Sequence, residues 1–194
     1  MFDIILASKS KVRLNILNKN NIVCSAKPSN VDENEIKISM LRDGASPKDI
    51  SKNLAEIKAN KVSQNNLDKI VIGADSVIDL ENEIISKPKN RSEALEILRK
   101  LNGKTHFLIS SVCISKNGSM IWHYTDKAEL KMKAMTEDEL KLYLSKIQDE
   151  KLYAYNVYQI EGEGKNLFNS IKGDMDTIMG LPIKKIKEYL SNLK

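Results

Sequence analysis

The chain has 194 residues, 41% of them hydrophobic and 29% charged, enough for a compact domain that buries roughly 70% of the surface its unfolded chain exposes; this composition argues against a disordered or disulfide-dependent chain. The formal net charge is +5, yet only Arg13, Arg42, Arg91 and Arg99 among 31 basic residues are arginine. Because arginine makes the bidentate contacts to bases and phosphates, this balance speaks against specific nucleic-acid recognition.

Lysine, isoleucine and asparagine fill 68 positions, a skew that coding bias in an AT-rich genome explains as well as a diffuse preference for anionic ligands. Cys24 and Cys113 form no C-x-x-C pair, and two histidines are too few for a sequence-evident zinc site. A reducing cytoplasm is the expected compartment. The apolar run Ile4-Ile5-Leu6 is shorter than a signal-peptide core, and no stretch approaches the roughly 20 apolar residues of a membrane span.

In chain order, Ile4 to Ala7 reads as a buried strand leading through Ser8-Lys9-Ser10-Lys11 into a helix with Val12, Ile16 and Leu17 on one side. Ile22 to Ala26 reads as a second strand. Lys27 to Asp43 is polar and punctuated, a loop with one or two helical turns. Ser46-Pro47-Lys48-Asp49 marks a helix start, with Ile50, Leu54 and Ile57 as its core stripe. Ile70-Val71-Ile72 is a continuous apolar run of the kind covered on both faces, extended to Val77-Ile78 and turned back at Glu81-Asn82-Glu83. Asn90 and Glu93 cap a helix from about Arg91 to Leu101, stopped by Asn102-Gly103. Two strand-like segments follow, His106 to Ser115 and Ile121 to Ala134, and Asn117-Gly118 between them predicts a hairpin. Thr136 and Glu139 cap a helix to about Ile147. Tyr153 to Gly164 reads as strand and loop, Leu167 to Ile171 as a strand, and Pro182 opens a last helix with Ile183, Ile186 and Leu190 on one face. Strand and helix signals are mixed, and no repeat or flexible linker licenses a cut.

Asp75 stands out as a carboxylate inside an apolar strand segment. Either it lies at a solvated strand end or on a bulge made by Gly73, or it is buried and needs a lysine, a metal ion or a reacting water as partner. Ser8-Lys9-Ser10-Lys11-Val12-Arg13 places hydroxyls, cations and backbone N–H groups where a strand meets a helix start, the construction of an anion site, although plain capping by Ser10 explains it too. No G-x-x-x-x-G-K-[ST] or G-x-G-x-x-G is present. Lys58 borders the apolar stripe of its helix, and Lys87 follows the turn-back from the Asp75 strand; each reads alone as a surface charge. Asp32-Glu33 is either a solvated loop or a pair suited to magnesium. His106, His123 and Trp122 with Tyr124 read as packing residues.

Several of these segments resemble the Maf family. Leu6-Ala7-Ser8-Lys9-Ser10-Lys11-Val12-Arg13 is similar to its L-A-S-x-S-P-x-R opening, Ile72-Gly73-Ala74-Asp75-Ser76-Val77 to I-G-A-D-T-V, and Ser86-Lys87-Pro88 with Leu98 to Gly103 to G-K-P and L-x-G-x-T-H. Leu54 to Ala59 is similar to L-A-x-x-K-A, and Ile171 to Asp174 with Gly180-Leu181-Pro182 to I-x-G-D and G-L-P. The resemblance spans nearly the whole chain. It implies an α/β fold, a long twisted mixed β-sheet with helices forming two lobes around a central cleft, like inosine triphosphate pyrophosphatases, with residues 1–194 as a single domain.

The same resemblance implies a nucleoside triphosphate pyrophosphatase that splits the α–β phosphate bond with a divalent cation, Mg2+ or Mn2+, removes non-standard nucleotides and forms a homodimer. It makes Asp75 the proton acceptor, Ser8, Ser10, Arg13, Lys58 and Lys87 the phosphate-cleft residues, and Glu33 with Asp75 the metal carboxylates; Asp174 is a weaker candidate. Val12 stands where members that cleave dTTP and UTP carry a second arginine. Glu161 stands where they carry glutamine, as in the branch that prefers 7-methyl-GTP, while Ala74 and Ser76 match the dTTP/UTP type, so the base stays open. Lys11 and Val12 also admit an alternative, a non-catalytic nucleotide-binding regulator of septum formation.

Overall fold

The computed structural model of the protein describes residues 3–154 and 157–193. The first strand, β1 (Ile4–Leu6), is buried throughout. Helix α1 (Lys11–Lys19) begins where Ser10 caps it, the Ser10 Oγ accepting from the Arg13 N–H at 3.3 Å. The pair β2 (Ser25–Ala26) and α2 (Glu33–Arg42) precede α3 (Pro47–Gln64), whose cap Ser46 accepts from the Asp49 N–H. Strand β3 (Ile70–Leu80) turns back into β4 (Glu83–Ile85) through Glu81 and Asn82, both at positive φ. Helix α4 (Arg91–Leu101) turns Ala94, Leu98 and Leu101 inward. Strands β5 (Thr105–Lys116) and β6 (Ser119–Met132) are joined by Asn117 and Gly118 at φ of 51° and 81°, the left-handed pair that a type I′ hairpin requires. A reciprocal capping box of Thr136 and Glu139 opens α5 (Glu137–Ser145). Then come α6 (Asp149–Ala154), a 3-10 helix (Glu163–Leu167), β7 (Phe168–Lys172), α7 (Met175–Ile178) and α8 (Ile183–Asn192).

Among the described residues the strands form one seven-stranded sheet in the order β2-β1-β3-β5-β6-β7, with β4 on β3. Pairing is parallel for β1 with β2 and β3, and antiparallel for β3 with β4 and β6 with β7. This is the mixed sheet of an α/β fold. No helix among the described residues is long and apolar enough to cross a membrane.

Some segments depart from expectation. The polar stretch around Asp32 carries α2, a full ten-residue helix, because the Asp32 carboxylate caps it by accepting from the Asn34 and Glu35 N–H groups at 3.1 Å while Glu33 and Glu35 meet the positive end of its dipole. Ile22 to Ala26 is strand only at Ser25 and Ala26, where it pairs with Ile5 and Leu6. The expected strand after Tyr153 does not form: the end of α6, an isolated bridge at Val157, a turn and the 3-10 helix take its place, with Tyr155 and Asn156 outside the described residues.

The chain divides into two compact units: Met1–Val77, Ile109–Lys127 and Asp174–Lys194 form the first, and Ile78–Leu108 with Ala128–Gly173 the second. Strands β3, β5 and β6 contribute residues to both. In the first unit, alternation along β3 sends Ile72 and Ala74 into a cluster with Leu6, Ile16, Leu17 and Ile186, while Val71 packs with Ile5, Ala7 and Val62 of α3. In the second, Leu98, Leu101, Leu130, Met132, Leu140 and Leu144 are buried.

Helix α3 rests directly on β3 at Gly73. A Cβ built there would lie 2.2 Å from the Ala55 carbonyl oxygen and 2.7 Å from the Ala59 nitrogen, both backbone atoms that cannot swing aside. Gly73→Ala is therefore expected to lower the unfolding free energy by about 2 kcal/mol or more, read as a shift in the denaturant midpoint.

Candidate active site

The close approach at Gly73 sets the centre of the site. Ala55, Lys58, Ala59 and Val62 share one face of α3 at helical spacing, and Asp75 follows Gly73 on the α3 side of the strand. Asp75 is 4% exposed, within an unbroken strand rather than at a solvated end or a bulge. Its partner is a lysine: Lys58 Nζ, itself buried, lies 2.8 Å from Asp75 Oδ1 and 2.8 Å from Glu33 Oε1. One ammonium thus bridges a buried carboxylate on β3 and a half-exposed one at the start of α2. The Ser51 hydroxyl, fully buried on α3, donates to the Asp75 carbonyl at 3.1 Å. Burial works to raise the Glu33 pKa, but Lys58, with Lys37 and Arg13, outweighs it and holds the carboxyl below its ordinary value.

Asp75 Oδ2, in contrast, is buried with no hydrogen-bond partner among the described residues. Buried polar atoms are normally satisfied, and a water or a cation at this oxygen would supply the missing partner. No group of three or more His, Cys, Asp or Glu side chains that could hold a metal occurs among the described residues. Magnesium usually binds through one or two carboxylates, with phosphate oxygens and waters completing its shell, and Asp75 with Glu33 is a donor set of that kind.

A second group of residues lies where β1 runs into α1. The Ser8 hydroxyl accepts from the Ser10 N–H at 3.2 Å and from Arg13 Nη1 at 3.4 Å, and the Ser10 hydroxyl accepts from the Arg13 N–H. Ser8 accepts two bonds from the protein and Ser10 one, so each hydroxyl keeps its single hydrogen for another acceptor. The Arg13 guanidinium is held on every nitrogen: Nε donates to the Gly180 carbonyl at 2.9 Å, Nη1 to the Ala74 carbonyl at 2.8 Å and Nη2 to the Ser76 hydroxyl at 3.1 Å. Burial lowers its pKa, opposed by Asp75 and Glu33. Two hydroxyl donors, an arginine and the N–H groups of a nine-residue helix start suit a phosphorylated ligand.

The first unit therefore brings together Ser8, Ser10, Arg13, Glu33, Lys58 and Asp75. Lys87 and Glu161 belong to the second unit and are exposed; Lys87 lines a pocket of about 300 Å³ with Ile84, Ile85, Glu93 and Ile97. Asp32 is taken up in capping α2. Asp174 caps α7 through the Asp176 N–H and pairs with Lys184, and Lys184 leads the interactions that hold its pKa down. His123 is exposed, and Trp122 stacks on Tyr189 at 4.8 Å between ring centroids. His106 is fully buried, with Nε2 2.8 Å from the Tyr158 hydroxyl. Ser51, Ser110 and Thr177 escaped the sequence reading; only Ser51 left a trace, seven residues before Lys58 and so on the same helical face.

A model of the family described as Maf-like protein matches residues 3–193. A nucleoside triphosphate pyrophosphatase of Pelagibacter ubique is 67% identical over 192 residues, 99% of this chain and 98% of that one. A 7-methyl-GTP pyrophosphatase of Rhizobium etli is 36% identical over 190 residues, covering 98% and 96% of the two chains. Among solved structures, a nucleoside-triphosphatase / dITP/XTP pyrophosphatase from Mycobacterium abscessus aligns with a TM-score of 0.45 at 12% identity, over 98% of this chain and 92% of that one.

Removing the bridging ammonium by Lys58→Met leaves the buried Asp75 charge uncompensated and is expected to cost about 3 kcal/mol of stability, measured by chemical unfolding at neutral pH. His106 gives a pH signature. Burial depresses its pKa from 6.5 to about 4, so between those values the unfolded chain binds the extra proton. Stability is then lost as pH falls through that window, by up to about 3 kcal/mol, and His106→Gln should flatten that part of the stability–pH curve.

Proposed function

The chain belongs to the Maf family, and on that premise we propose that it is a nucleoside triphosphate pyrophosphatase whose reaction centres on Asp75. The observation that carries this is the asymmetry of the Asp75 carboxylate: Oδ1 is fastened to Lys58 at 2.8 Å while Oδ2 is buried and has no partner among the described residues. A carboxylate held by one oxygen and open at the other is built to take a proton from a water fixed beside it.

The triphosphate brings about four negative charges, and this class of reaction is governed by positioning and charge stabilisation. Ser8 and Ser10 donate their free hydroxyl hydrogens to phosphate oxygens, supported by the first-turn N–H groups of α1. Arg13 and Lys58 supply positive charge, and the exposed Lys87 is a further candidate ligand for phosphate. Water adds to the α-phosphorus as Asp75 Oδ2 takes its proton. The bond to the α–β bridging oxygen breaks, and its electron pair leaves with pyrophosphate. The other product is the nucleoside monophosphate. Glu33 and Asp75 would hold a divalent cation, Mg2+ or Mn2+, which when bound neutralises phosphate charge and polarises the reacting water.

Glu161 is a base-reading candidate, since a carboxylate can accept from guanine N–H groups. The 36% identity to a 7-methyl-GTP pyrophosphatase supports testing modified guanine nucleotides beside dTTP and UTP. Clearing non-standard nucleotides is the cellular role that fits, with the reducing cytoplasm as the compartment and a homodimer as the assembly.

With Mg2+ or Mn2+, the purified protein is expected to release pyrophosphate rather than orthophosphate from at least one member of a panel of standard and methylated nucleoside triphosphates. Asp75→Asn should lower kcat by about a hundredfold or more with its circular dichroism spectrum unchanged. Nucleotide-dependent thermal stabilisation without any pyrophosphate would instead mark a binding protein.

A further inference from the structure

Ser110 lies on β5, fully buried, and none of the chemistry above uses it. Its hydroxyl donates to the Thr177 carbonyl at 2.7 Å. A serine hydroxyl carries a single hydrogen, so in the 2.8 Å contact between the Ser76 and Ser110 hydroxyls Ser76 must donate and Ser110 accept. Ser76 in turn accepts from Arg13 Nη2. The direction of every bond is thereby settled: Arg13 to Ser76, Ser76 to Ser110, Ser110 to the Thr177 carbonyl.

The chain closes on itself. The Thr177 carbonyl also accepts from the Gly180 N–H at 3.0 Å, and the Gly180 carbonyl accepts from Arg13 Nε. Arg13, Ser76, Ser110, Thr177 and Gly180 thus form a ring of hydrogen bonds that holds the guanidinium at Nε and Nη2. The Thr177 side chain ties that turn to β6, its hydroxyl donating to Asp126 Oδ2 at 2.6 Å.

We propose that Ser110 is a positioning residue that orients Arg13 toward the triphosphate by fixing which way the Ser76 hydroxyl points. With Ser110 as acceptor, the Ser76 hydrogen is turned away from Arg13 and a lone pair faces Nη2. Without it, the Ser76 hydrogen loses its partner, the hydroxyl turns to find another, and the ring opens beside the guanidinium. The inference rests on Arg13 meeting the substrate phosphates, as in the function proposed above.

Kinetics of pyrophosphate release by the full chain test it, using the nucleoside triphosphate that the wild type cleaves best. An interaction made with ground state and transition state alike shows in KM. Ser110→Ala is therefore expected to raise KM about tenfold, the worth of one hydrogen bond to a charged group, with kcat within about twofold. Ser110→Cys, close in volume but a poor acceptor, should move KM the same way, and it supplies the measurement if the alanine variant does not fold. Because Ser110 acts through Ser76, the double variant with Ser76→Ala should be no worse than Ser76→Ala alone. An unchanged KM in either Ser110 variant, or additive effects in the double variant, overturns the proposal whatever the loss of thermal stability. A wild type that releases no pyrophosphate overturns the reaction instead. Positioning is then read from thermal stabilisation by inorganic tripolyphosphate, which the Ser110 variants should reduce; equal stabilisation of variant and wild type overturns it.

Discussion

The Lys58 ammonium is the element on which the rest of the site depends. It sits in the interior because two carboxylates meet it there, Asp75 from the strand and Glu33 from the start of α2. A buried ion pair is seldom a net gain in stability, since desolvating both charges offsets most of their attraction. Its value here is geometric. It pins one oxygen of Asp75, leaves the other without a partner among the described residues, and joins that carboxylate to Glu33. This contact is available only because Gly73 lets α3 settle on the strand, so a missing side chain sets where the charged one goes.

Arg13 plays a different part from the one its charge suggests. Most of its donors go to protein acceptors from three separated stretches of chain, Ser8 beside it, Ala74 and Ser76 on β3, and Gly180 near the last helix. A guanidinium held in this way loses little freedom when a ligand arrives, and preorganisation of this kind makes a cation effective against phosphate. The serines follow the same logic. They accept from N–H groups of the protein, which leaves each hydroxyl hydrogen for an anion.

What the sequence disclosed divides along physical lines. Local signals were legible: Ser10, Ser46, Asn90 and Thr136 all cap helices as their spacing predicts, and Asn117-Gly118 makes the hairpin. The α2 helix was not, because it has no buried residue and so no apolar stripe; its stability comes from capping and end charges. Asp75 could be singled out as a charge among apolar neighbours, but whether it was buried depended on Lys58, on the preceding helix, and on the volume absent at Gly73. Lys58 looked like a surface lysine beside a stripe. Ser110 left no mark at all, since a small polar residue among strand formers has no periodicity to betray it, and its role exists only through contacts made across the fold.

The ring around Arg13 also ties the maturing of the site to the far end of the chain. Arg13 and Gly180 are separated by 167 positions, and the Thr177 turn belongs to the final segment of the first unit. During synthesis, the strand bearing Asp75 and the helix bearing Lys58 leave the ribosome long before Thr177 and Gly180, which close the ring around the arginine. A nascent chain can therefore carry the Lys58–Asp75 pair before the ring around Arg13 can close. Contacts of such long sequence separation form late and slowly, so truncation near the C-terminus strikes the first residues of the anion site as directly as a mutation among them.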